Sequence, residues 1–492
     1  MKKTVMMAIV AMFCLCGCSK EIRIAGHSDS CPDIFPDYRN VTVPANIAPL
    51  NFEVCDAGQA KDWALKIETG NEAHHVHADK GLFTFGHRFW KSLLEDAKGT
   101  SLTVTLCEKK DSGWYSCEPF IINVAAEEMD SHLVYRLIPP GYSLWKEMGI
   151  YQRDLTSFKE KAIYHNTQGH GNCVNCHSFN ERNPDQMLFH MRSELAGTYI
   201  YRNGMREKLD TKTDETISSL VYPYWHDTGS YVAFSVNKTN QTLHVRNRNQ
   251  IEVFDEASDV VVYDVDNHEI ITTDLLSSEN AFETFPTFSP DGRSLYFCSA
   301  EAVGPMPEKF REAKYSLCRV DFNPEDCSFG TEVDTLYNAR TQGRSVSFPR
   351  ISPDGKMLVF ALSDYGNFSI WHKDADLYSM DLATGETVCM DALNSDDVES
   401  YHSWSSNSRW LVFSSRRDDG LYTKPYFSYI DEDGRAHKPF LLPQKNPRRF
   451  YDSQMYAYNI PEFVNGKVRV NGNDIAEFAR ENKPVKPGYV KK

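Results

Sequence analysis

The chain has 492 residues, of which 41% are hydrophobic, 12% aromatic and 25% charged. That length exceeds one compact core and predicts two or three domains, and 8 Trp, 25 Tyr and 28 Phe exclude a disordered chain. Asp and Glu outnumber Lys and Arg by 68 to 53, so a phosphate backbone is repelled and nucleic acid is excluded as a partner.

The first element is an export signal. Met1-Lys2-Lys3 precedes an apolar run from Thr4 to Leu15, too short to span a bilayer comfortably. It ends Leu15-Cys16-Gly17-Cys18. This resembles the bacterial lipobox, which implies that residues 1–17 are removed and that Cys18 carries the lipid anchor. Ser19 stands where inner-membrane lipoproteins carry aspartate. The resemblance therefore implies an outer-membrane location facing the periplasm or the cell surface. Residues 18–45 are polar and aperiodic and are expected to be a tether. Residues 46–140 hold alternating apolar runs at 50–54, 63–67, 102–106 and 120–124, which predict a small β-sandwich. Within it, His74, His75 and His77 read as surface histidines, because a lone pair on one strand face lacks a third metal ligand. Residues 145–165 are expected to join this domain to the next.

The segment Gly169-His170-Gly171-Asn172-Cys173-Val174-Asn175-Cys176-His177 contains Cys-x-x-Cys-His, the attachment motif of a c-type haem. Two thiols at this spacing bond the two vinyl groups at one porphyrin edge, and the adjacent histidine lies beneath the iron. The expected cofactor is one haem c, held by Cys173 and Cys176 with His177 as proximal ligand. His165, His170, Met187, His190, Met191 and Met205 could reach the sixth position. Strand alternation places Met187 and Met191 on the core side and His190 on the other, so His190 is preferred, with Met191 or His170 as alternatives. A zinc site using His165, His170 or His190 and a plain Cys173–Cys176 disulfide compete with haem.

Beyond it the sequence repeats. Pro223, Pro286, Pro349 and His402 each open a turn such as Pro-Thr-Phe-Ser-Pro-Asp-Gly, followed by a strand ending at Phe234, Phe297, Phe360 and Phe413. A second strand then closes on Asp264, Asp321, Asp381 or Asp431. A fainter copy lies at Met187-Leu-Phe-His-Met191. An interval of about 50–60 residues suits a four-stranded propeller blade. The Ser-Pro-Asp-Gly signature with a later Leu-Tyr-x-x-Asp resembles the WD-like repeat of TolB-type propellers. The expected fold is all-β: a β-propeller of six blades over residues 141–480, closed by segments near 140–170 or 441–480, with a tail at 481–492.

Function is expected to be electron transfer or redox sensing in an envelope complex, with an envelope protein as redox partner. The alternative is a non-enzymatic propeller scaffold that binds a protein or peptide. No Gly-x-Ser-x-Gly elbow or phosphate loop supports an enzyme. Eight of the 13 cysteines remain after signal, lipid and haem are assigned. Cys107 with Cys117 flank a hairpin and are the first expected disulfide, and Cys318 with Cys327 the second. Cys298 and Cys389 are expected to be buried thiols, and Cys31 and Cys55 are left without an assigned partner.

Overall fold

The computed structural model describes residues 22–28, 30–139, 147–244, 249 and 251–492. The expected signal peptide and the lipid-bearing Cys18 lie outside the described residues.

Six sheets succeed one another along the chain from residue 132. The second sheet holds strands Val174–Phe179, Gln186–Met191, Gly197–Arg202 and Met205–Leu209. The third begins at Leu220–Trp225, the fourth at Ala281–Phe288, the fifth at Ser345–Ile351 and the sixth at Glu399–Trp404. Each of these first strands contacts the first strand of the next sheet. The remaining sheet, blade 1, joins both ends of the ring. Strands His132–Ile138, Gly149–Asp154 and Glu160–His165 pair in order, and Ala457–Val464 adds to His132–Ile138 as the innermost strand. Ala457–Val464 also touches the first strands of blades 6 and 2, which closes the circle.

The repeats have local causes. In the turns, Ser352 Oγ donates to Asp354 Oδ1 at 2.6 Å and Ser405 Oγ donates to Asn407 Oδ1 at 2.7 Å. Gly355 then takes φ +72, a conformation that a Cβ disfavours. The closing aspartates cap the next turn: Asp381 Oδ1 accepts from the backbone N–H of Ala383 and Thr384. Phe189, Phe234, Phe297, Phe360 and Phe413 are all buried between blades, as their repeat position requires.

Three boundaries differ from expectation. Residues 18–45 are not a plain tether: Ile24–His27 pairs with Gly113–Ser116, and Val41–Pro44 pairs with Phe120–Ala125. Val41 and Val43 are fully buried there, so this segment completes the N-terminal sheet. Residues 149–165 are not a junction but two strands of blade 1. The tail also pairs, with Gly488–Lys491 running parallel to Glu269–Thr272 as a fifth strand of blade 3. The N-terminal unit comprises a seven-stranded sheet, a three-stranded sheet and the helix His87–Asp96 around one core. That core continues into the ring through Trp410, Val412, Phe427, Phe440 and Tyr458, so the unit is docked on blades 6 and 1. Trp410 Nε1 donates to the Glu127 carbonyl at 3.3 Å, and Asp130 accepts from both Ser406 N and Ser406 Oγ at 2.7 Å.

Candidate functional site

The Cys-x-x-Cys-His segment lies in the innermost strand of blade 2. Asn175 pairs with His190 and Ser178 with Leu188, so the ladder skips a residue and Cys176 and His177 form a bulge. Cys176 takes φ +54. The same break recurs in every innermost strand, with φ +50 at Tyr222, +50 at Phe285, +55 at Phe348, +37 at Tyr401 and +51 at Ile460. The residues that follow are Pro223, Pro286, Pro349, His402 and Pro461. Cys176-His177 is therefore the blade-2 copy of an aromatic-Pro repeat, and His177-Ser178-Phe179 matches His402-Ser403-Trp404.

The bulges aim six side chains at the ring axis. Tyr222 and Phe285 have centroids 4.7 Å apart, Phe285 and Phe348 4.4 Å, and Phe348 and Tyr401 4.5 Å. With Cys176 and Ile460 they form a plug across the channel. Beyond the plug a cavity of about 90 Å³ opens, lined by His177, Trp225, Arg350, His402, Trp404 and Glu462 among others. Arg182 lies at its rim and donates through Nε to the Trp404 carbonyl at 2.9 Å. Arg350 donates to its neighbour's carbonyl at Pro349 and stacks over Tyr224, 5.1 Å from the ring centroid. Glu462 accepts from Phe179 N at 3.0 Å, and burial pushes its pKa up to about 7. His402 Nε2 meets the Val359 carbonyl at 2.9 Å, tying the bulge to the preceding blade. Of the plug and mouth residues, only Cys176, His177 and the repeat residues Pro223 and His402 stood out in the sequence. The recurrence of His-Ser-aromatic at 177 and 402 was the available signal.

The expected haem ligands do not converge. Cys173 packs in the core between blades 1 and 2 with Met148, Tyr164, Phe189 and Met191, whereas Cys176 faces the channel. His177 is 2% exposed, and burial drives its pKa down to about 3, with Arg136 adding to the shift. Neither ring nitrogen makes a well-formed hydrogen bond among the described residues, although backbone at Ile460 and Val134 opposes the shift. His190 faces a different cavity with Arg192, Ser218 and Asn237, and its Nδ1 lies 3.2 Å from Thr198 Oγ1. Met191 is fully buried in the interblade core, as is Met187. His170 is exposed in a loop at φ +63. A c-type haem requires both thiols at one porphyrin edge with the histidine beneath the ring. Here one thiol points into packed core and the other into the channel, and His177 and His190 face separate spaces. The residues as arranged do not fit the group. Nor do they form a zinc site: no cluster of three His, Cys, Asp or Glu suited to a metal occurs among the described residues.

No protein-family model matches the chain, and no curated protein does. Solved structures do. Prolyl oligopeptidase B from Galerina marginata is similar at 10% identity and TM-score 0.35, over 68% of this chain and 42% of that one. An ancestral GH74 enzyme matches at 10% identity and TM-score 0.36, over 64% and 38%. A DUF4784 family protein from Bacteroides caccae matches at 8% identity and TM-score 0.29, over 72% and 94%. The first of these matches thus spans less than half of the longer protein. The propeller assignment rests on the sheet order and ring closure described above.

Proposed function

We propose that this chain is an envelope lipoprotein whose propeller is a non-enzymatic binding scaffold. The observation that carries the reading is the plugged channel, with its mouth of aromatic, cationic and acidic side chains. Trp225, Trp404 and Tyr224 offer flat apolar surface, while Arg182, Arg350 and Glu462 offer charge at fixed positions. A rigid ring that presents a few anchors around a blind cavity suits the insertion of one side chain or a chain end from a partner protein. The lipid at Cys18 would hold that mouth near the membrane. Electron transfer through a haem would require Cys173 to leave the interblade core, so the scaffold reading is preferred.

Site-specific photocrosslinking in cells tests it. A crosslinker at Trp404 should capture a partner, and Arg350→Ala should abolish the adduct. The Cys173→Ser/Cys176→Ser double variant should leave capture intact if it folds, which circular dichroism checks. An adduct that disappears with the folded cysteine variant but survives Arg350→Ala would reverse the choice.

A further inference from the structure

The N-terminal sheet places its cysteines in a pattern different from the expected pairing. Cys107 lies in the strand Ser101–Lys110 and packs with Ile22 and Ala64 on one side of the sheet. Cys117 follows the paired strand and packs on the other side, in the domain core. The two thiols of the expected Cys107–Cys117 bridge thus belong to opposite faces. Cys117 instead has another neighbour. Ile24–His27 runs parallel to Gly113–Ser116, and Ser28 N donates to the Ser116 carbonyl at 2.9 Å. Five residues on, the Asp33 carbonyl accepts from Cys55 N at 2.8 Å. The Pro32 carbonyl accepts from Arg39 Nη2. Ser28 and Asp33 are therefore held on either side of Cys31, with Ser28 bonded to the residue next to Cys117, and the Cys31 thiol is a neighbour that adds to the effect of burial in raising the Cys117 pKa.

We infer that Cys31 and Cys117 are the disulfide of this fold, joining the segment next to the lipid-bearing end to the core hairpin of the N-terminal sheet. The pairing rests on this geometry, and its occurrence in the cell rests on the export reading above. Cys31 is exposed and is the thiol an oxidant reaches first, whereas Cys117 is 2% exposed. The oxidant is a disulfide donor, either a small-molecule disulfide or the active-site disulfide of an oxidoreductase. The Cys31 thiolate attacks one donor sulfur, breaks the donor's S–S bond, releases the first donor thiolate and forms a mixed disulfide. The Cys117 thiolate then attacks Cys31 Sγ and releases the second donor thiolate. Two electrons pass from the cysteines to the donor, and the two cysteine protons pass to the released thiolates. Burial raises the Cys117 thiol pKa, so the second step is the slower one. Cys107, on the other face, stays a thiol.

The full chain, reduced and then treated with oxidised glutathione, is alkylated under denaturing conditions and peptide-mapped. The expected result is a Cys31–Cys117 linked peptide, two fewer alkylated thiols than in the reduced chain, and an alkylated Cys107. Cys107→Ser should leave the link intact, and Cys31→Ser should abolish it. Recovery of Cys31 and Cys117 as alkylated thiols, or a Cys107–Cys117 link, overturns the inference. The same mapping on chain isolated from the cell envelope under a thiol trap separates the two premises. A link that forms with glutathione but is missing in that sample supports the pair and counts against export.

Discussion

His177→Pro rewrites the blade-2 bulge with the residue that four of the six innermost strands already carry there, at Pro223, Pro286, Pro349 and Pro461. If Cys176-His177 is a repeat copy, the backbone at position 177 accepts proline. The variant removes a buried imidazole without a well-formed hydrogen bond, a group whose burial costs about 1–3 kcal/mol. It also restricts the unfolded chain, which contributes about 0.4–1 kcal/mol. Lost packing against Phe179, 6.4 Å away centroid to centroid, offsets part of this. The net expectation at pH 7 is a gain of about 1 kcal/mol. The pH dependence is sharper. The folded pKa of His177 is about 3, against 6.5 for a free histidine side chain. Below pH 6.5 the unfolded chain binds a proton that the folded chain does not, so wild-type stability falls as pH falls. Over the 1.5 units from pH 6.5 to 5 this amounts to about 2 kcal/mol, which the proline variant does not lose. Urea unfolding of both proteins at pH 7 and pH 5 measures it. The advantage of the variant should grow to about 3 kcal/mol at pH 5. A variant more than about 2 kcal/mol less stable at pH 7, or a gap that does not widen at pH 5, would refute the repeat assignment.

Three further expectations follow from burial and charge. Glu283 is 3% exposed, and burial with Asp259 nearby raises its pKa from 4.5 to about 8. Ionising it opposes folding as pH rises between those values, so Glu283→Gln should gain about 4 kcal/mol on wild type between pH 5 and 8 in urea titrations; parallel curves would contradict this. Phe348→Ala removes the plug ring that packs, tilted, against both Phe285 and Tyr401, and should cost about 3–4 kcal/mol while a small hydrophobic dye gains access to the channel. Trp410, fully buried where the N-terminal unit docks, should cost about 3–5 kcal/mol when replaced by alanine. Limited proteolysis should then release residues 22–130 before the ring; simultaneous loss of both would contradict a docked unit.

The turns of blades 4 to 6 were legible because their causes are local: a serine and an aspartate or asparagine two positions apart in the turn bond each other, and Gly292, Gly355 or Ser408 takes the positive φ. The N-terminal strands were not legible. Ile24–His27 and Val41–Pro44 are four residues each, and their partners lie about 90 and about 80 residues away in sequence. A polar, aperiodic segment paired at a sheet edge carries no amphipathic signature. The site misled for a different reason. Cys-x-x-Cys-His is specific as a string, but its chemistry needs all three side chains to converge. Three positions apart on extended chain, Cys173 and Cys176 face opposite sides, one into the interblade core and the other into the channel. Histidine in the place of proline hid the repeat that would have exposed this. Arg416 opens the charged run Arg416-Arg417-Asp418-Asp419 yet is buried against Trp371, 3.5 Å from the ring centroid, and burial lowers its pKa to about 9. Guanidinium stacking on an aromatic face has no sequence signature.

The mass of the chain after expression with the haem-attachment machinery distinguishes a blade repeat at Cys173–His177 from a haem site. The protein is exported, purified under denaturing conditions, weighed intact, and stained for haem on a denaturing gel. With Cys173 in the interblade core and Cys176 in the plug, the polypeptide mass carries no porphyrin and the gel shows no stain. A covalent haem adduct at Cys173 and Cys176 would contradict the reading of this segment as a blade repeat and would restore electron transfer as the function.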